Sequence, residues 1–111
     1  MASLLPSLKE KRRYLVYQVL SETPLHFKDV KEALAKEFTT FLGRLGEAQA
    51  GILFLDDWNN NKGIIRMTTS ALDYVKAALI HIRKINKTEV VVASVGVSGT
   101  LNKARTKFSV H

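Results

Sequence analysis

The sequence predicts an α+β sandwich in which one antiparallel sheet carries two helices on one face. Two observations lead there. Four short apolar segments rich in β-branched and aromatic residues are interleaved with two stretches whose apolar residues recur at spacings of three and four, in the order β-α-β-β-α-β. Each β-α-β half must cross over in the right-handed sense, which puts both helices on the same side of the sheet. With 111 residues, the chain can bury roughly two-thirds of its unfolded surface, enough for a core without staples. Its 46% hydrophobic and 24% charged content is that of a globular protein. Residues 1–111 read as one domain, without internal repeats, linkers or low-complexity tracts.

Tyr14–Leu20, YLVYQVL, is the first strand, rich in aromatic and β-branched residues and ended by Ser21-Glu22. Tyr14 and Tyr17 are an odd number of positions apart and so point to opposite faces, which makes at least one of them core. Thr23-Pro24 offers an N-cap followed by proline at the first helical position. Phe27, Val30, Leu34, Phe38 and Phe41 then form a helical stripe, which Gly43 and Gly46 punctuate. Gly51–Asp56 and Gly63–Thr68 are strand-like, and the polar stretch from Asp57 to Lys62 between them predicts a hairpin with a longer loop. Trp58, within that loop, reads either as a cap on the hairpin or as part of an interaction surface.

Ser70 with Asp73 three residues on resembles a capping box. Leu72, Val75, Leu79 and Ile82 form the second stripe, widened by Ala78 and Ile85 and closed by Asn86-Lys87. Glu89–Val97 is the last strand. The whole is the ferredoxin-like, or RNA-recognition-motif-like, arrangement, a fold that hosts many functions.

Charge narrows the functions. Residues 1–13 and residues 100–111 each carry a net +3 of the total +7, so the long middle, 14–99, is nearly neutral. A neutral body with two basic ends (9–13 and 103–107) is the footprint expected of a polyanion-binding protein. The alternative is a pair of solvated tails. There is no cysteine, so neither disulfides nor thiolate metal sites are available. No signal-like segment opens the chain and no apolar run approaches a membrane span, so a cytoplasmic protein without membrane contact is expected.

Catalytic constellations are lacking. Gly96-Val97-Ser98-Gly99-Thr100 resembles a nucleophile elbow, but the fifth residue is Thr100, and only the terminal His111 follows where a triad needs an acid and a histidine. His26 and His81 lie on different predicted helices. Asp56-Asp57 has no third ligand nearby, and neither a P-loop nor a dinucleotide fingerprint occurs. The third strand, Lys62-Gly63-Ile64-Ile65-Arg66, keeps the lysine and glycine of an RNA-recognition motif but not its aromatics. Stacking of bases on the sheet is therefore not expected, and an apolar exposed sheet face would instead be a protein contact. What remains is the glycine-hydroxyl segment beside Lys103, Arg105 and Lys107. Its backbone N–H groups can form an anion-binding nest, with Ser98 and Thr100 as hydroxyl donors and the cations neutralising phosphates. The plain alternative is a turn that ends the sheet.

Arg12-Arg13-Tyr14-Leu15, the Gly46-to-Gly51 connection, Lys62-Gly63-Ile64-Ile65-Arg66 and, above all, Gly96-Val97-Ser98-Gly99-Thr100-Leu101-x-Lys103-Ala104-Arg105 resemble the archaeal ribonuclease P protein component 2 family. That family is related to the Pop-five subunit of eukaryotic ribonuclease P and its mitochondrial-RNA-processing cousin. The likeness covers about residues 8–108. It implies a protein subunit of the ribonucleoprotein endonuclease that removes the 5′ leader of precursor tRNA. The RNA subunit would be the catalyst and use Mg²⁺, the protein binding no cofactor and carrying no catalytic residue of its own.

The implied partners are ribonuclease P RNA, precursor tRNA through the holoenzyme, a TIM-barrel-like ribonuclease P protein subunit and the other ribonuclease P proteins. Self-association into a homodimer is left open. Lys11, Arg12, Arg13, Ser98, Gly99, Thr100, Lys103, Arg105 and Lys107 are the expected RNA contacts, with Arg66 a weaker candidate that would serve equally as partner to an acid. Two other functions fit the same fold: a ribosomal or other RNA-scaffolding protein, and a ferredoxin-like small-ligand regulatory module.

Overall fold

The computed structural model describes residues 11–108 and Val110; Lys9 of the first basic segment lies outside them. Strand β1 (Arg12–Leu20) leads to helix α1 (Phe27–Ala50), the hairpin β2 (Leu53–Asn59) and β3 (Lys62–Thr68), and a short 3₁₀ turn (Thr69–Ala71) into α2 (Leu72–Ile80). A two-residue ribbon, β4 (Lys84–Ile85) and β5 (Thr88–Glu89), precedes β6 (Val91–Ser98), and α3 (Leu101–Lys107) follows. The sheet runs β2-β3-β1-β6, and every neighbouring pair is antiparallel. This is the expected βαββαβ sandwich, with one helix more.

Alternation along β1 divides the sheet into two faces. Leu15, Tyr17 and Val19, with Ile65 and Met67 of β3 and Val92 of β6, pack against Val30, Leu34 and Phe38 of α1 and Val75, Ala78 and Leu79 of α2. Val16 and Ile64 point the other way, where Ala104 and Val110 are buried with them and Tyr14, Leu55, Leu101 and Phe108 pack around. The second face is thus covered by the chain's own α3 rather than left as an apolar protein contact. Leu101, Ala104 and Phe108, at helical spacing, supply the covering stripe.

Several boundaries differ from the sequence expectation. Helix α1 begins at Phe27 after His26, which makes no side-chain cap, instead of at Thr23-Pro24. The reason is Asn61, whose amide donates to the Val19 carbonyl (3.2 Å) and Ser21 Oγ (3.3 Å) and accepts from the Leu25 N–H (3.3 Å), holding that segment as a loop. Gly43 does not end α1. It breaks it at φ 75° and ψ 167°, a left-handed backbone that favours glycine, and the chain then continues helically to Ala50.

The β2–β3 connection is a tight two-residue turn, Asn60 (φ 52°) and Asn61 (φ 59°), as the right-handed twist of a hairpin prefers. Trp58 accordingly sits in β2. Its ring lies 6.3 Å from that of Tyr17 and 5.7 Å from that of Phe27, so it belongs to the core. Helix α2 has Ala71 at its N-cap and no side-chain cap, so the Ser70 capping box does not form. It ends at Ile80, and Asn86-Lys87 (φ 50° and 68°) is the turn of the β4–β5 ribbon, not a helix stop. Ile82 and Ile85 are nonetheless buried in the same core, reached from a turn and a strand. Among the described residues no helix is long and apolar enough to cross a membrane.

Candidate nucleic-acid interface

The beginning of β1 and the end of β6 are antiparallel neighbours, with Tyr14 in register with Ser98. Lys11–Arg13 and the segment that leads into Lys103, some ninety residues on in sequence, therefore meet at one end of the sheet. Arg13 and Gly99 extend that register by one step; a side chain at 99 would point at the Arg13 guanidinium, whose Nη1 lies 3.9 Å from the Cβ position. Arg13 Nη1 donates to the Arg12 carbonyl at 3.1 Å. The Lys11 carbonyl accepts from both the N–H and the hydroxyl of Thr69 at 3.0 Å, anchoring the start of β1 to the 3₁₀ turn.

The Ser98–Thr100 segment is a turn that caps a helix. Ser98 Oγ accepts from the Thr100 N–H (3.3 Å) and donates to its carbonyl (3.0 Å), and Thr100 Oγ1 accepts from the Lys103 N–H (3.2 Å) as N-cap of α3. Lys103 and Lys107, four residues apart on one side of α3, are both exposed. Lys107 Nζ also lies 5.7 Å from the centre of the Phe108 ring.

Arg105 turns toward β2. It forms a two-point ion pair with Asp57, Nε to Oδ2 at 2.7 Å and Nη2 to Oδ1 at 3.1 Å, with the carboxylate side chain only 10% exposed and the guanidinium 42% exposed. The hydrogen bond that Arg105 donates to Asp57, reinforced by the carboxylate's charge, raises the Arg105 pKa further. Asp57 is thus the clasp for α3, and only the fold reveals it, because the two residues are 48 positions apart. Among the described residues no three His, Asp or Glu side chains are grouped to hold a metal ion.

Two glycines of the quoted motifs serve packing. A Cβ at Gly96 would fall within 3.0 Å of Phe108 Cε2 and closer to the rest of the ring edge, so Phe108 occupies the place of a side chain on β6. A Cβ at Gly63 would lie 2.9 Å from Tyr17 Cε1 and 2.5 Å from Cζ. The half-match of Lys62-Gly63 to an RNA-recognition motif therefore has a different cause here, the seating of Tyr17. Arg66, on β3, pairs in register with Tyr14 and with Leu53 and has a buried Nε without a partner.

A basic pole on an RNA-recognition-motif-like sandwich is the arrangement of a small ribonucleoprotein-type domain. The Rpp14/Pop5 family model matches residues 13–109. Proteins named ribonuclease P protein component 2 are similar over nearly the whole chain. That of Methanocaldococcus jannaschii is 35% identical over 106 residues, covering 96% of this chain and 78% of its own. That of Thermococcus kodakarensis is 33% identical over 104 residues (93% and 87%), and that of Methanosarcina mazei 32% over 108 residues (97% and 92%). In a cryo-EM structure of yeast ribonuclease MRP, one chain shares the fold with a TM-score of 0.64 at 11% identity, covering 93% of this chain and 89% of that one. The chain belongs to the Rpp14/Pop5 family, and the resemblance read from its motifs is borne out.

Proposed function

We propose that this chain is a protein subunit of ribonuclease P and supports the catalytic domain of the RNA that removes 5′ leaders from precursor tRNA. The observation that carries the proposal is the convergence of Lys11, Arg12 and Arg13 with the Ser98–Thr100 turn and Lys103 at one pole. Cations gathered on one surface track a phosphate backbone, and contacts of this kind position RNA without reading its sequence. Lys107 extends the pole along α3. Arg105 keeps three of its five N–H donors after pairing with Asp57, enough to join a phosphate contact from its anchored position. The RNA supplies catalysis with Mg²⁺, and a TIM-barrel-like ribonuclease P protein is the partner with which the chain acts.

The test is 5′-leader cleavage of a precursor tRNA by ribonuclease P RNA at low Mg²⁺, with the TIM-barrel-like protein alone, this chain alone, and both. Cleavage that appears or accelerates only with both is the expected result. A folded chain that adds nothing to an active partner overturns the proposal. RNA binding without any effect on cleavage would point instead to a scaffolding protein of the same fold.

A further inference from the structure

We infer that Arg66 joins Arg12 in a phosphate-binding site that extends the basic pole onto the sheet face that α3 covers, and that Arg66 is its anchor. The inference rests on the proposed RNA-binding role and adds Arg66, on the sheet itself, to the terminal cations. In the β1–β3 register Arg12 faces Thr68 and Tyr14 faces Arg66, and Tyr14 packs on the α3 side. Alternation therefore puts Arg12, Tyr14 and Arg66 on that one face. Arg12 and Arg66 are diagonal neighbours across the strand pair, roughly 7 Å apart at Cβ and within reach of long side chains.

The chemistry around them is one-sided. Arg66 Nε is buried and has no hydrogen-bond partner, and a buried donor left unpaired weighs against the fold unless something fills it. The residues in register on the same face are Leu53, Tyr14 and Ser98, with Thr68 and Arg12 in the next row and Ile64 and Val16 in the row beyond. None is an acid. Among the described residues Asp57 brings a carboxylate to this face, and it is held at two points by Arg105.

Leu53, beside Arg66 on the edge strand, is 42% exposed, so the row opens to solvent there. The missing partner is an anion from outside, and a planar guanidinium fork matches a phosphodiester oxygen pair better than an ammonium does. A nucleic-acid phosphate fits better than a protein carboxylate because the row continues through Tyr14 to Ser98 at the basic pole.

The experiment measures binding of ribonuclease P RNA to the full chain over a salt series, for the wild type and for Arg66→Gln, Arg66→Lys, Arg12→Gln and Lys103→Gln. Melting curves establish that each variant is folded. Arg66→Gln is expected to weaken binding about tenfold and to flatten the salt dependence by about one phosphate contact. Arg66→Lys should keep the slope but lose part of the affinity, because an ammonium cannot make the fork. Wild-type affinity and slope in Arg66→Gln, with Lys103→Gln impaired, overturns this site and leaves the RNA-binding role standing. If the wild type shows no salt-dependent binding, both fall. Should Arg66→Gln fail to fold, the Arg66 Nε–H resonance of the wild type decides: a shift on adding RNA supports the site. No shift with RNA, or a shift only with an acidic protein partner, overturns it.

Discussion

Gly96→Ala is a local test of how α3 is held. Adding one methyl places a carbon within 3.0 Å of Phe108 Cε2 and closer to the ring edge. Carbon atoms rest at about 3.5–4.0 Å, so the ring must retreat by at least about 0.5 Å at its far side and more at the near edge. Phe108 lies just past the end of α3, and its ring belongs to the cluster with Val16, Ile64, Ala104 and Val110. The expected cost is that of overpacking, about 1–3 kcal/mol, and it falls on the docking of α3 rather than on the α1–α2 core. Phe108→Ala removes the obstacle. In that background Gly96→Ala should be within about 0.5 kcal/mol of neutral, since alanine restricts the unfolded chain more than glycine does. A double-mutant cycle by urea denaturation should therefore give a coupling of about 1–2 kcal/mol. Additive effects would show that Phe108 does not occupy the Gly96 position, and the account of α3 as a cover for the sheet would fall with it.

Gly63→Ala should destabilise by about 1–3 kcal/mol in the same denaturation assay, because Tyr17, buried at the centre of the main core, cannot retreat. Tyr17→Phe should be neutral or stabilising by up to about 1 kcal/mol, since the Tyr17 hydroxyl is buried without a partner. Burial raises the Tyr17 pKa well above its ordinary value of 10.0. Above pH 10 the unfolded chain alone loses this proton, so stability falls with rising pH, and Tyr17→Phe should flatten that alkaline limb. Asn61→Gly keeps the turn conformation but removes three side-chain hydrogen bonds to the β1–α1 loop. A loss of about 1–3 kcal/mol is expected, and an unchanged midpoint would refute the clamp. Asp57→Asn should lower the melting temperature and weaken protection of α3 amides from hydrogen exchange, with the α1–α2 core unaffected.

The order of elements and both helical stripes were legible because hydrophobic period is a local signal, visible in a window of a dozen residues. Val30, Leu34, Val75 and Leu79 all sit where that signal puts them, and of the two tyrosines of β1 it is Tyr17 that enters the main core. The errors fall where a distant residue overrides a local one. Thr23-Pro24 has the chemistry of a helix start, yet the side chain of Asn61, 36 residues beyond Leu25, holds that stretch as a loop. Asn60-Asn61 lacks the glycine that marks most two-residue hairpin turns, so the sequence does not show the tight turn that brings Trp58 into the core. The cations of residues 101–108 make the segment resemble a solvated tail, yet its apolar spacing, Leu101, Ala104 and Phe108, is that of a helix needing a surface to cover. Asp57 as the partner of Arg105 had no local signal at all.

The placement of charge follows from the topology itself. In a sheet ordered β2-β3-β1-β6 with antiparallel neighbours, the start of β1 and the end of β6 must lie side by side. A chain that needs a basic pole on this fold can obtain it by putting cations just before its first strand and just after its last, leaving the body neutral. That is the distribution found, a net +3 at each end of a +7 chain. The return of α3 across the sheet fixes the remaining question of direction. Leu101, Ala104 and Phe108 face inward and Asp57 holds Arg105, so Lys103 and Lys107 are presented outward on a docked helix instead of trailing from the sheet. The helix that closes the face used by RNA-recognition motifs for stacking is the same helix that carries the tail cations. The missing aromatics of β3 and the basic tail are therefore two aspects of one arrangement, in which one helix covers the sheet and carries the cations that follow its last strand.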